Sequence, residues 1–461
     1  MSFWVSVVLA AGKGARMRSR IPKPLHLLSG RPLVSYAVEA VAEAAGTPPI
    51  VVRAPDTDFS AFLGPEVRYA VQETPTGTGG ALFPVEALAG RATKHLLVVN
   101  GDTPFVSVET LRRLMREHEE TNAAMTFLAS AAVMQEGLGR VRRGIDGRVQ
   151  AIVEAREAEG AGASYEANCG AYCFDAAWLW EQFPRLRRHG DEIYLTDLAG
   201  IASADGQTVH TTPAANVWES FGINTRVHLA QAEARLREIT LERLMLGGVT
   251  LMDPATTYID ASVSVGEDTV IYPNTHIRGR TAIGRDCRIG PGAQVRDSRI
   301  GDGCTINAAV IEESTVEEHV DIGPYCHLRP GAYLCTGVHM GNFGEVKNSR
   351  LGRNTQMGHF SYIGDAEIGA NVNIAAGVIT CNYDGVTKHK TIVEDDAFIG
   401  CDTMLVAPVR VGARSATGAG AVVTKDVPPD VLAVGMPARF REKKAPEKEH
   451  GASTETPPAS N

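Results

Sequence analysis

The chain has 461 residues, with 45 Lys and Arg against 54 Asp and Glu, giving a formal net charge of −9. At 44% hydrophobic and 21% charged residues it has the composition of an ordinary globular protein, too long for a single core. Its net field disfavours nucleic acid and anionic membranes as partners. No apolar run approaches the length of a membrane span, and no basic region precedes the apolar run 3–11 as a secretory signal would require. The eight cysteines include no C-x-x-C pair, so reduced, buried thiols in a cytoplasmic protein are expected.

Residues 5–9 (VSVVL) read as a buried strand, followed directly by the glycine loop AAGKGARM at 10–17. Beyond Pro22-Lys23-Pro24-Leu25, an amphipathic run near 34–45 reads as a helix. Strand, glycine loop and helix make either a phosphate-binding turn or a plain tight turn. The spacing matches neither G-x-G-x-x-G nor a loop ending in Gly-Lys-Ser/Thr. Arg16 and Lys23 favour the phosphate reading, because a triphosphate needs cations as well as backbone N–H groups. Strands at 49–52 and 67–71 follow, then the polar loop of Gln72 and Gly77-Thr78-Gly79, suited to base-edge or ribose contacts or to a simple turn.

A helix is expected near 80–88 and a strand at 95–100, ending in Asn100-Gly101-Asp102-Thr103-Pro104. A carboxylate just past the carboxyl end of a buried strand sits where α/β folds place ligands. Asp102 is thus a candidate metal ligand; it could instead cap the next helix, for which Ser107 is better placed. Residues 123–175 read as β-hairpins, with strands at 123–129, 139–143, 149–153 and 170–174 and a turn at Asp146-Gly147. Glu154 and Asn168 lie at strand ends, where a surface polar residue is the plainer reading. A helical segment opens at 192–197, and 217–223 leads to Asn224-Thr225-Arg226. Residues 225–246, free of Pro and Gly, read as a long helix joining the two halves.

The second half beats in sixes. Aliphatic residues fall at Ile259, Val265, Ile271, Ile277, Ile283, Ile289 and Val295, then after a slip at Ile300 and Ile306. The beat resumes at Val316, Ile322, Leu328, Leu334, Met340 and Val346, then at Leu351, Met357 and Ile363. It breaks from 380 to 391 and returns at Val393, Ile399, Leu405, Val411 and Val423. Six fits neither a helix nor a heptad; it is the period of a parallel β-helix whose aliphatic column forms the interior. Glycines after the beat, such as Gly266, Gly284, Gly341 and Gly352, are expected to permit tight corners. The break is where a solenoid would carry function.

Five features combine: LAAGKGARM followed by Pro22-Lys23, the Gly101-Asp102-Thr103-Pro104 strand end, the long helix, the hexapeptide run, and GHFSYIGDAEIG (358–369) with Asn373 and TCNYDG (380–385). From about residue 4 to 440 the chain resembles the bacterial bifunctional N-acetylglucosamine-1-phosphate uridyltransferase / glucosamine-1-phosphate acetyltransferase family. The last two stretches are the most specific, whereas the opening is shared by many sugar-nucleotide pyrophosphorylases. The resemblance implies an α/β nucleotidyltransferase domain with a Rossmann-like mixed sheet (1–224), a helical linker (225–248) and a left-handed parallel β-helix (249–440); beyond it, residues 441–461, rich in Lys, Glu, Pro and Ser, read as a disordered tail. The resemblance also implies a cytoplasmic homotrimer with neither a nucleic-acid partner nor a membrane span.

In the first half, the resemblance implies nucleotide contacts from Leu9, Ala10, Ala11 and Gly12, with Arg16 and Lys23 on the phosphates. Gln72, Gly77 and Thr78 would read uracil, and Asn100 and Gly101 would join the nucleotide-sugar site. Gly139, Glu154 and Asn168 would hold the amino sugar, while Asp102 and Asn224 would ligate Mg²⁺. In the second half, His359 would be the general base for acetyl transfer, a role suited to an imidazole, which titrates unperturbed near 6.5. Arg329 and Lys347 would bind the sugar phosphate, Tyr362 and Asn373 the sugar. Asn382, Tyr383, Ala376, Cys401 and Ala419 would contact acetyl-CoA or its acetyl group. UTP and acetyl-CoA are then substrates, with glucosamine-1-phosphate and N-acetylglucosamine-1-phosphate. Compared with many relatives, Gly80 replaces a histidine, Pro75 a glutamine and Cys401 a serine. Met436 replaces a basic residue, for which Arg439 or Arg441 would substitute. The alternative is a single-activity sugar nucleotidyltransferase whose β-helix serves only trimerisation or regulation.

Overall fold

The computed structural model describes residues 4–90, 92–132, 134–155 and 166–435. The strand Trp4–Leu9 lies inside a mixed sheet, its Val7 packing into one hydrophobic cluster and its Val8 into another. A strand covered on both faces has no polar side, which is why 5–9 is continuously small or apolar. The main sheet runs Val209–Pro213, Met125–Ser130, Ala167–Asp175, His95–Asn100, Trp4–Leu9, Ile50–Arg53, Arg68–Val71. Only Ala167–Asp175 is antiparallel to its neighbours in that order. Helices Leu33–Ala45 and Val108–Thr121 cover one face through Val34, Val38, Leu111 and Leu114; Leu179 and Leu198 pack on the other.

Strand order turns at Trp4–Leu9, with Ile50–Arg53 on one side and His95–Asn100 on the other. The carboxyl ends of these strands therefore open a crevice of the kind in which such sheets bind ligands.

The helix expected near 34–45 is Leu33–Ala45, and the glycine loop leads first into a three-residue 3₁₀ turn, Ala15–Met17. Pro22 and Pro24 interrupt the intervening chain, so the loop is not seated directly on a helix N-terminus. The helix near 80–88 is two short pieces, Gly77–Gly80 and Val85–Ala89, the second beginning immediately after Pro84. Of the strands between 123 and 175, only Arg140–Arg143 and Val149–Val153 form a local hairpin. Met125–Ser130 instead pairs antiparallel with Ala167–Asp175 and parallel with Val209–Pro213. Ser107 does cap Val108–Thr121, its Oγ accepting the Thr110 N–H at 3.2 Å. The long helix runs Arg226–Leu246, and the boundary between the chain's two compact units falls at Arg243/Leu244, with Ile259–Ser262 grouped with the first.

The second unit is a left-handed β-helix of hexapeptide repeats, its strands gathered into three parallel sheets of eleven, ten and nine. Each strand pairs with the third strand along the chain, so one coil stacks on the next, as from Ile271 to Ile289 to Ile306. The aliphatic column is buried, with Val265 only partly so, and each full burial is worth about 1.5–3 kcal/mol. The column also includes Ile311, which the slip in the beat conceals, and two threonines. Thr380 fills the rung above Ile363 and satisfies its hydroxyl on the Gly364 N–H (2.7 Å) and carbonyl (3.1 Å). Thr417 continues the column from Ile399, its Oγ1 accepting the Gly400 N–H at 2.9 Å.

The post-beat glycines serve stacking more than turning. A Cβ on Gly341 would run into the Gly358 carbonyl, and one on Gly266 would lie 2.7 Å from the Gly284 backbone. Left-handed corners fall instead on residues such as Asp268, Asp286, Asn354 and Asn371. Their short polar side chains tolerate that backbone better than other non-glycine residues. Six cysteines are buried as expected, whereas Cys381 is partly exposed and Cys401 exposed. Among the described residues no helix is long and apolar enough to cross a membrane. Residues 441–461, with Met436 and Arg439, lie outside the described residues.

Candidate active sites

The crevice of the mixed sheet contains a cavity of about 540 Å³. It is lined by Leu9, Ala10, Ala11, Gly12, Arg16, Lys23, Gln72, Gly77, Thr78, Asn100, Gly101, Asp102 and Asn224, all singled out in the sequence. Lys13, Pro75 and Glu192 also line it without having been assigned a contact. Lys23 is the hub: its Nζ donates to Asp102 Oδ2 at 2.5 Å and to Asn224 Oδ1 at 3.1 Å. Arg16 Nη2 donates to the same Asn224 oxygen at 3.0 Å. Residues from three separated segments thus converge on one cation.

Asp102 and Asn224 offer hard oxygen donors to a single positive centre, a donor set that fits Mg²⁺. Among the described residues no group of three or more His, Cys, Asp or Glu is placed to hold a metal. A magnesium ion here would therefore keep waters or take phosphate oxygens for its remaining positions.

A second cluster forms at Gly139, Glu154 and Asn168. A Cβ on Gly139 would lie 3.8 Å from both Glu154 Oε1 and the Asn168 Cβ, so the three positions share one small space. The register shift in Ala167–Asp175 between Asn168 and Tyr172 re-aims the Asn168 amide. Its Nδ2 donates to Tyr172 Oη at 2.6 Å and its Oδ1 accepts the Gly170 N–H at 3.2 Å. Glu154 Oε1 accepts the Thr196 hydroxyl at 2.7 Å.

On the coil, the sequence candidates fall into vertical rows. The backbone bonds Gly377 N–H to Phe360 O, Asp402 N–H to Ala376 O and Gly420 N–H to Cys401 O (2.7, 2.8 and 2.8 Å) align successive corners. His359, Ala376, Cys401 and Ala419 therefore follow one another along a single corner, as a histidine above three small side chains. His359 is exposed, and its Nδ1 lies 3.4 Å from Asn342 Oδ1 on the preceding coil. With the proton on Nδ1 facing that oxygen, Nε2 keeps a lone pair free to accept one. On the sheet beginning beyond that corner, Arg329 follows Leu328, the partner of Val346, so it stands beside Lys347 on the next coil. Tyr362 stands on the same sheet directly after Glu345, and Arg329 Nη1 is held by Glu345 Oε1 at 2.8 Å. Asn373 belongs to the sheet on the other side of the corner.

The break in the beat is an excursion from the column, anchored by Asn382 and closed by a Tyr383–Lys388 bridge. Asn382 Nδ2 donates to Asp365 Oδ2 at 2.5 Å, while Tyr383 is 61% exposed. The excursion also supplies Lys388, which sequence reading did not single out. Lys388 and then Arg329 crowd Lys347 and hold its pKa below the usual lysine value. Such a concentration of positive charge is suited to a phosphate. The only sequence signal for Lys388 is its place inside the break.

A mixed nucleotide-binding sheet and a hexapeptide coil, each carrying its own polar site, define a two-site transferase acting on sugar phosphates. Comparison with known proteins agrees in both halves. A family described as MobA-like NTP transferase domain matches residues 6–174, bacterial transferase hexapeptide repeats match 262–297, and the hexapeptide repeat of succinyl-transferase matches 390–425. A protein named Bifunctional protein GlmU from Exiguobacterium sibiricum is 42% identical over 446 residues, 96% of this chain and 99% of that one. Proteins of the same name from a Geobacillus species and from Halalkalibacterium halodurans are 42% and 39% identical, covering 93% and 98% of this chain and 94% and 98% of their own. The chain belongs to the GlmU family, and is a bifunctional enzyme of UDP-N-acetylglucosamine synthesis with a nucleotidyltransferase half and a hexapeptide acetyltransferase half.

Proposed function

We propose the following division of labour for the two sites. The coil transfers an acetyl group from acetyl-CoA to the 2-amino group of glucosamine-1-phosphate, and the mixed-sheet cavity then joins the product to UMP from UTP. The observation that carries this reading is that each half assembles its own cluster of chemically suited side chains, Lys23–Asp102–Asn224 in one and the His359 corner with Arg329, Lys347 and Lys388 in the other.

At the coil, Arg329, Lys347 and Lys388 hold the sugar phosphate, and Tyr362 and Asn373 hold the sugar. His359 Nε2 accepts a proton from the amine as its nitrogen attacks the thioester carbonyl carbon. The C–S bond breaks as the tetrahedral adduct collapses, and coenzyme A leaves as a thiolate that takes a proton. Ala376, Cys401 and Ala419 leave a flat strip for coenzyme A, with Asn382 and Tyr383 beside the acetyl group. This strip is open in one copy, since Cys401, Ala419 and Tyr383 are all exposed. We place a neighbouring copy against it, in a homotrimer.

In the cavity, Leu9 to Gly12 and Gln72, Gly77 and Thr78 hold the nucleotide, with Asn100 and Gly101 along the floor. Gly139, Glu154 and Asn168 hold the N-acetylamino sugar. The sugar-phosphate oxygen attacks the α-phosphorus in line and pyrophosphate leaves, while Arg16 and Lys23 neutralise the developing charge. Asp102 and Asn224 would hold Mg²⁺, which when bound supplies further charge neutralisation on the phosphates. The free thiols fit a reducing compartment, and we place the enzyme in the cytoplasm. The test is to supply the purified protein with UTP, Mg²⁺, acetyl-CoA and glucosamine-1-phosphate and to follow UDP-N-acetylglucosamine. Its formation is expected, with dependence on both acetyl-CoA and Mg²⁺; pyrophosphate release without thiol release would support the single-activity alternative.

A further inference from the structure

Thr196 stands at the N-cap of helix Asp197–Ala204, the position where a threonine hydroxyl ordinarily accepts an N–H of the first turn. Here it makes no such bond. The side chain is buried, at 4% exposure, and its hydroxyl donates to Glu154 Oε1 at 2.7 Å. Its backbone is already helical, at φ −65° and ψ −20°, so the hydroxyl has no capping geometry and bonds instead to a carboxylate beside Gly139 and Asn168.

The residues just before Thr196 are fastened to the other side of the cavity. The Leu195 N–H donates to Thr78 Oγ1 at 3.1 Å, and the Ile193 N–H to the Thr76 carbonyl at 2.7 Å. A Cβ on Gly77 would lie 2.7 Å from the Ile193 carbonyl, so the glycine loop is packed flush against this segment. Three residues within 193–196 therefore bear on both the base side, through the backbone N–H groups of Ile193 and Leu195, and the sugar side, through the Thr196 side chain.

We propose that Thr196 is a positioning residue for sugar recognition, orienting Glu154 toward the amino sugar from a segment that also braces the base-reading loop. This deepens the uridyl-transfer reading of the cavity and rests on it. Because the hydroxyl caps nothing, replacing it with a methyl removes the bond to Glu154 without costing the helix its cap. Because the base side is held by backbone groups, that replacement leaves it in place.

The test uses the full chain with UTP, Mg²⁺ and N-acetylglucosamine-1-phosphate. Thr196→Val is expected to raise the KM for the sugar phosphate about tenfold, the scale of one hydrogen bond to a charged group. The KM for UTP, the melting temperature and acetyl transfer should be unchanged. Thr196→Ser, which restores the hydroxyl, should restore the sugar KM. In a Glu154→Ala background, which leaves the Thr196 hydroxyl no acceptor at this position, Thr196→Val should add little, since both changes remove the same contact. An unchanged sugar KM, an equal rise for both substrates, failure of serine to rescue, or full additivity with Glu154→Ala would each overturn the proposal. A wild-type chain that forms no UDP-N-acetylglucosamine would overturn the reading of the cavity, and this proposal with it.

Discussion

The two sites are built in opposite ways. The mixed-sheet cavity gathers Lys23, Asp102 and Asn224 from segments separated by 79 and 201 residues relative to Lys23, and encloses them in one copy of the chain. The coil gathers His359, Ala376, Cys401 and Ala419 by stacking one turn on the next, and leaves all but the half-buried Ala376 exposed at a corner. A sheet with crossovers makes a pocket by folding back on itself, whereas a solenoid makes only a surface, to which a neighbour or an excursion must be added. Here the excursion at 380–391 brings Lys388 and Tyr383.

The sharpest break of this comparison is to disable one site at a time. His359→Ala should reduce acetyl transfer by about 10²–10⁴-fold, the usual contribution of a general base, while uridyl transfer stays intact. Asp102→Ala should do the reverse. Thiol release from acetyl-CoA and pyrophosphate release from UTP separate the two, and loss of both from either change, in folded protein, would show that the sites are not independent.

The column offers the next largest effect. Ile289→Ala, at a fully buried rung, should cost about 2–5 kcal/mol, whereas Val265→Ala, at a partly exposed one, should cost clearly less. Denaturant unfolding of the coil would show it, and equal costs would mean that the column is not the main support.

The mixed-sheet unit should instead be sensitive to acid. His118 is buried, and desolvation, with a smaller contribution from His95, lowers its pKa to about 4. The unfolded chain then binds the proton more readily than the folded one between about pH 6.5 and 4, so stability falls as pH drops through that window. The loss is about 3 kcal/mol by linkage, and His118→Phe should flatten it. Melting curves from pH 7 to 4.5 would check the sign.

A smaller change probes the coil site alone. A Cβ on Gly364 would run into Tyr362 Oη and lie 2.9 Å from Asn382 Nδ2. Gly364→Ala should therefore lower acetyl transfer about tenfold by displacing the Tyr362 and Asn382 side chains, with uridyl transfer unchanged. The mildest test is thiol labelling of the native protein, in which Cys401 should react first, Cys381 more slowly and the buried six only on unfolding.

The coil was the more legible half. Its period of six places nearly every interior side chain because one coil repeats the environment of the last, so local sequence carries the three-dimensional position. Where a polar residue fills a rung, as at Thr380, the pattern fails, since a hydroxyl satisfied by neighbouring backbone looks in sequence like an absence. The glycines were legible as necessary but not for their reason: Gly341 answers to the backbone of the next coil, 17 residues on.

In the mixed sheet, periodicity located strands but not their partners. Alternation reports burial, and Met125–Ser130 would look the same whether it met its neighbour in sequence or Ala167–Asp175. Motifs identified Lys23, Asp102 and Asn224, and the sequence alone sufficed for the family, the two halves and most candidate residues. Only the tertiary structure decided that Lys23 bridges the other two, that Lys388 joins Arg329 and Lys347, and that Thr196 serves Glu154 rather than its own helix. The physical reason is common to all three. Each is a contact between side chains whose separation along the chain leaves no periodic trace, and whose partners are chosen by how the backbone packs.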